Sequence, residues 1–249
     1  TMKDDRAARS VVTLNKDRVL AEPARELAEK TPKRRDDWLP IFKRFLKLGE
    51  HRLRLWHNAG GGGREIARQR ADLIDIVLRE LFENVSHSVA GKETERVVVA
   101  AFGGYGRREV NPFSDVDLMF LIERGQPSPR LEAIIRQTLM GLWDLGFKVG
   151  HSTRSLAQAV KAANEDMITK TSMLECRFLL GDRELFQDFK TRFERDCIEG
   201  KEAAYVKWRF ESQAENHQKY GDTVFMQEPN VKNGCGGLRD YQNLLWISF

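Results

Sequence analysis

The chain has 249 residues, enough for one large domain or two small ones. Its 41 Lys and Arg against 37 Asp and Glu leave a net charge of +4, a bias too weak and too evenly spread to argue for a nucleic-acid partner. No apolar run approaches the roughly 20 residues that a bilayer span needs, which argues against a membrane protein.

The three cysteines, Cys176, Cys197 and Cys235, are scattered. None forms a Cys-x-x-Cys pair, and neither the nearest histidines nor His51, His57, His87 and His217 show zinc-ligand spacing. An odd number of scattered thiols suits a reducing cytoplasm.

Residues 1 to about 35 are charged and weakly patterned, with helical pieces expected. Trp38, Leu39, Ile41, Phe42, Phe45, Leu46 and Leu48 recur at helical spacing and predict a helix to about Trp56. Four glycines, Gly60–Gly63, follow; no Lys-Ser/Thr comes after them, so they read as a flexible linker and not a phosphate loop. From Arg64 to about Val89 the apolar positions Ile66, Ala67, Ala71, Ile74, Val77, Leu78, Leu81 and Phe82 form one face of an amphipathic helix.

The period then changes. Arg96–Phe102 and Val116–Ile122 are short apolar runs that predict buried strands, and Phe147–Ser152 predicts a third. Between the second and third, a Pro-Ser-Pro turn at Pro127–Pro129 leads into a helix to about Leu145. Helices are expected over 155–163, 166–180, 183–197 and 201–219, with a last one from near Asp240. The chain stops at Phe249 inside an apolar helical pattern with no cap, so we expect it to belong to a longer protein. The expected class is α+β: a helical region over 1–90, a small mixed-sheet core over 91–152 and a helical region over 153–249.

The chemistry sits in Phe102–Leu118. A strand ends at Gly103-Gly104, ten residues separate Gly104 from Asp115, and Asp115-Val116-Asp117 opens the next strand. Glycines let the backbone turn sharply and approach a phosphate, whose oxygens the turn's N–H groups can bind. Residues i and i+2 of a strand share a face, so Asp115 and Asp117 point the same way. Such a pair suits Mg²⁺, which takes a few carboxylates plus substrate phosphates. Arg107 offers a guanidinium to a triphosphate, or to Glu109 or the aspartates; Ser114 orients a ligand or shapes the turn; Tyr105 reads as packing. His151, on the third strand, is expected to make a structural hydrogen bond, with binding of a nucleotide phosphate or a role as base as the alternative.

The string GGYGRREVNPFSDVDL (103–118) resembles the DNA polymerase β-type nucleotidyltransferase superfamily, and more narrowly the bacterial PII uridylyltransferase/uridylyl-removing family. WDLGFKVGHSTRSL (143–156), MLECRFLLGD (173–182) and EPNVKNGCGGLRDYQNLLW (228–246) continue the resemblance in the family's order, so that it covers about residue 64 to the end. It implies a polymerase β-like core and transfer of UMP from UTP to a tyrosine of a PII-type signalling protein. Asp115 and Asp117 would then be the catalytic metal ligands, and Gly103, Gly104, Arg107 and Ser114 nucleotide contacts. Lys232 and Arg239, in the glycine-rich loop 228–240, are expected at the triphosphate, with Asp240 capping the following helix or standing in for a third acid. Three departures stand out. Gly150-His151-Ser152 offers no carboxylate on the third strand, Cys235 stands where the family usually has Pro, and no His-Asp pair of the family's HD phosphohydrolase domain is present. Adenylyl transfer to another protein and a non-catalytic nucleotide sensor are the alternatives.

Overall fold

The computed structural model describes Leu27 and residues 35–91, 95–221, 223–225 and 227–248. Most of the expectation for residues 1–35 lies outside them. No helix among the described residues is long and apolar enough to cross a membrane. The chain divides into two compact units: one takes the described residues up to Ser155 together with Cys176–Leu185, the other Leu156–Glu175 and 186 onward.

In the first unit, α1 (Arg35–Asn58) and α2 (Gly63–Ser88) lead into β1 (Val97–Ala101). A single helical turn, α3 (Gly103–Gly106), joins β1 to β2 (Val116–Ile122), and α4 (Pro129–Asp144) joins β2 to β3 (Val149–Ser155). The sheet is completed by β4 (Arg177–Gly181), in the order β3-β2-β1-β4. β1 runs antiparallel to β2 and β4, whereas β2 and β3 are parallel, as a helical crossover requires. This is the α+β, mixed-sheet architecture expected.

Local chemistry accounts for the elements. The Ser128 hydroxyl accepts from the Leu131 N–H, and Pro129 supplies the first helical position of α4, so the Pro-Ser-Pro turn is a helix start. The glycines between α1 and α2 form a tight turn in which the Gly61 N–H donates to the Trp56 carbonyl (3.0 Å). Ala71, Ile74, Val77, Leu78, Leu81 and Val85 of α2 pack with Val99, Leu118 and Phe120 of the sheet in one core. Full burial of a Leu, Ile or Val there contributes about 1.5–3 kcal/mol.

The second unit holds α5 (Leu156–Glu165), α6 (Met167–Leu174), most of α7 (Arg183–Phe193), a π-helical turn (Glu194–Ile198), α8 (Glu202–Tyr220) and α9 (Leu238–Ile247). Asp166 caps α6 by accepting from the Ile168 and Thr169 N–H groups. Lys170 is buried and donates to the Cys197 carbonyl (2.7 Å), tying α6 to the π turn.

One expected element is corrected. The helix predicted over 166–180 ends at Leu174, and Arg177–Gly181 is instead β4. The run Arg-Phe-Leu-Leu-Gly is too short for periodicity to separate strand from buried helix. Pairing with β1 decides it, because β1 would otherwise leave a row of backbone groups open on that side.

Candidate active site

β2 presents the acids. Asp115 is exposed just before the strand, and Asp117 is half-buried in it. Asp117 pairs with Gly150 on β3, and its carbonyl accepts from the Phe102 N–H (3.0 Å), which fixes the start of the glycine turn beside it. Its carboxylate sits between two glycines. A Cβ on Gly103 would lie 3.4 Å from Asp117 Oδ2, and one on Gly150 would overlap Oδ1. Gly103 also has φ +54°, a left-handed conformation that a side chain disfavours. The missing third acid therefore has a steric counterpart: the β3 position next to Asp117 is occupied by bare backbone.

Burial pushes the Asp117 carboxyl above the ordinary carboxylate range, and the charge of Asp115 pushes it the same way. Two carboxylates close enough to repel each other form a site that a divalent cation suits.

A network not foreseen from the sequence holds the turn from behind. The buried Tyr105 hydroxyl donates to Asp75 Oδ1 (2.7 Å). Arg177 donates to both Asp75 oxygens (2.6 and 3.0 Å), to the Tyr105 carbonyl (3.2 Å) and to the Gly106 carbonyl (3.3 Å). Its guanidinium carbon lies 5.3 Å from the Tyr105 ring centroid. Burial foremost, then Asp75, holds the Tyr105 phenol well above its ordinary range. Arg108, at φ 60°, pairs with Asp72 one turn earlier on α2. The only advance signal was that Asp72 and Asp75 flank the apolar face of α2; Arg177, at the mouth of an apolar run, gave none.

The other predicted residues fall as follows. Gly104 lies in the first turn of α3, where amides lack intrahelical acceptors, and its carbonyl accepts from the Glu109 N–H (2.7 Å). Arg107 donates through Nε to Glu109 (2.8 Å). Ser114 is exposed, and its N–H donates to the Asn111 carbonyl (3.1 Å). Phe113 before it is 94% exposed at φ 67°, an uncommon conformation for an aromatic residue. His151 pairs with Leu118, on the face opposite Asp117, and its ring meets Trp143 edge-on at 6.3 Å.

Lys232 and Arg239 belong to the second unit. Lys232 is exposed in the loop. Arg239 donates to Gln242 Oε1 (3.0 Å) and lies over the Trp246 ring (5.2 Å). Asp240 is not the cap of α9, which starts from Gly237. It sits in the first turn and reaches back to accept from the Gly236 N–H (2.8 Å), one residue before the helix N-cap.

A strand ending in a glycine turn, an Asp-x-Asp opening its antiparallel neighbour and a parallel third strand are together consistent with a small nucleotidyltransferase-type core. A family profile described as GlnD PII-uridylyltransferase matches residues 204–249. The chain is 39% identical over 237 residues to the bifunctional uridylyltransferase/uridylyl-removing enzyme of Erythrobacter litoralis, covering 92% of this chain and 26% of that protein. The same-named enzymes of Azospirillum brasilense (38%, 82% of this chain and 22% of the relative) and Novosphingobium aromaticivorans (41%, 74% and 21%) also match. The chain is thus a relative of the uridylyltransferase/uridylyl-removing enzymes, and it spans about a quarter of the length of the curated relatives it matches. The resemblance carried by the four motifs stands.

Proposed function

We propose that this chain is the transferase part of a cytoplasmic PII uridylyltransferase, moving UMP from UTP to a tyrosine hydroxyl of a PII-type protein with release of pyrophosphate. The observation that carries the proposal is the Asp117 carboxylate, held between Gly103 and Gly150 and within reach of the charge of Asp115. In this reading the two acids hold Mg²⁺, which when bound supplies positive charge to the triphosphate and to the attacking oxygen. The glycine turn admits the phosphates to close backbone range, and the Asp75–Arg177–Tyr105 network keeps that turn in one conformation. The in-line attack leaves the α-phosphate on the tyrosine oxygen and pyrophosphate as leaving group; the tyrosine proton passes to solvent. Arg107, Ser114, Lys232 and Arg239 are assigned to the nucleotide, with the first and last of these also committed to Glu109 and to Gln242.

The test is pyrophosphate release from UTP in the presence of a PII-type protein, with ATP as competitor. Uridylyl transfer predicts turnover that excess ATP does not suppress. Turnover with ATP alone would move the assignment to adenylyl transfer, and nucleotide binding without pyrophosphate release would leave a sensor.

A further inference from the structure

The second unit brings together three side chains whose spacing in sequence gave no ligand signal. His217 lies in the last turn of α8, Cys235 in the loop that follows, and Asp240 in the first turn of α9. One ligand atom from each lies within 4.8 Å of the other two, and this is the only such group found among the described residues. His217 Nε2 is 2.9 and 3.0 Å from the two Asp240 oxygens. Asp240 also accepts from Gln213 Nε2 (2.7 Å) and from the Gly236 N–H (2.8 Å).

We propose that His217, Cys235 and Asp240 form a binding site for a zinc-class divalent ion. The donor set is one imidazole nitrogen, one thiolate and one carboxylate oxygen, which suits Zn²⁺ and not the hard, oxygen-seeking Mg²⁺ assigned to Asp115 and Asp117. Bonds of about 2.0–2.3 Å at a tetrahedral ion place ligand atoms roughly 3.3–3.7 Å apart. The His217–Asp240 pair is already near that spacing, and the sulfur has to close by roughly an ångström at most, within reach of a rotation about the Cys235 side chain. Gln213 and the Gly236 N–H hold the carboxylate from outside, as partners behind a ligand do. All three residues are half-buried, so an ion can enter and a fourth position stays open to water.

Binding exchanges protons for metal. The Cys235 thiol loses its proton to solvent, His217 presents Nε2 as a lone pair, and the hydrogen bond between His217 and Asp240 is replaced by two bonds to the ion. The consequence is mechanical: the ion clips α8, α9 and the loop carrying Lys232 into one piece. The site is independent of the transferase reading.

The experiment uses the purified metal-free chain. Titration with Co²⁺ should produce a near-ultraviolet thiolate-to-cobalt charge-transfer band at one equivalent, abolished by added Zn²⁺. Co²⁺ at the Asp115–Asp117 pair has no sulfur and gives no such band. Cys235→Ser should remove the band, and Cys235→Ser and His217→Gln should each weaken zinc binding by about tenfold or more. A readout that needs no variant is alkylation mapped by mass spectrometry: Zn²⁺ should shield Cys235 and leave Cys176 labelled as before. A band that survives Cys235→Ser, no band in the unmodified chain, or equal labelling of Cys235 with and without Zn²⁺ overturns the site.

Discussion

Gly150→Ala tests the placement of Asp117 without altering any charge. Gly150 is on the edge strand β3, directly paired with Asp117, and its backbone lies outside the left-handed region, so alanine is conformationally acceptable there. The added methyl overlaps Asp117 Oδ1 and must push the carboxylate by roughly 1 Å to restore an ordinary carbon–oxygen contact of about 3.3 Å. A displacement of that size at a reacting centre costs about 10²-fold, or roughly 2.7 kcal/mol of barrier at 1.36 kcal/mol per decade. Pyrophosphate release should therefore fall about a hundredfold. Mn²⁺ affinity, read by electron paramagnetic resonance, should weaken in parallel. The melting temperature should hold, because a strand gains slightly when alanine replaces glycine. Turnover and Mn²⁺ affinity both within twofold of the parent would refute the geometry of the site.

The turn's support gives a second expectation. Asp75→Ala strips Arg177 and the buried Tyr105 hydroxyl of their shared acceptor and should cost about 2–4 kcal/mol in urea unfolding, discounted because Arg177 keeps some solvent contact; a loss under about 1 kcal/mol would contradict it. Asp182 is held down to about 2, first by the hydrogen bond from Arg96 and then by the Leu185 N–H. Its folded value lies below the unfolded one of about 3.9, so its contribution is complete above that pH and is lost as pH falls toward about 2. The stability gap between the parent chain and Asp182→Ala should therefore shrink over that interval, and a pH-independent gap would contradict the assignment. His151→Ala should leave Mn²⁺ affinity unchanged because its side chain faces away from Asp117; a tenfold loss would make it a ligand. Lys232→Ala should weaken triphosphate binding by about 1–3 kcal/mol if it makes a charge-assisted bond, and unaltered affinity in calorimetry would remove it from the site.

The elements with a strong period were legible in the sequence. The apolar face of α2, the β2 run and the Ser128–Pro129 helix start all signal locally, and the structure has them where the pattern puts them. The Gly-Gly turn and the Asp-x-Asp stood out because a strand runs into the one and out of the other, and the structure sets Asp117 against Gly103. β4 was not, because five residues cannot show a period and their state is decided by β1, about eighty residues earlier in the chain. Nor was the Asp75–Tyr105–Arg177 network, whose members are drawn from α2, α3 and β4 and meet only after the sheet has formed. The same cause hid His217, Cys235 and Asp240. The fixed spacings that signal a metal site reflect ligands on one local element, and here three elements supply one each.

The most direct test of the central claim is the intact mass of a PII-type protein after incubation with this chain, Mg²⁺ and an equimolar mixture of the four ribonucleoside triphosphates. The account predicts the gain of one uridylyl group on a tyrosine, abolished in the folded Asp115→Asn, Asp117→Asn double variant. No gain of mass with the folded parent chain, or a gain that persists in the double variant, would contradict it.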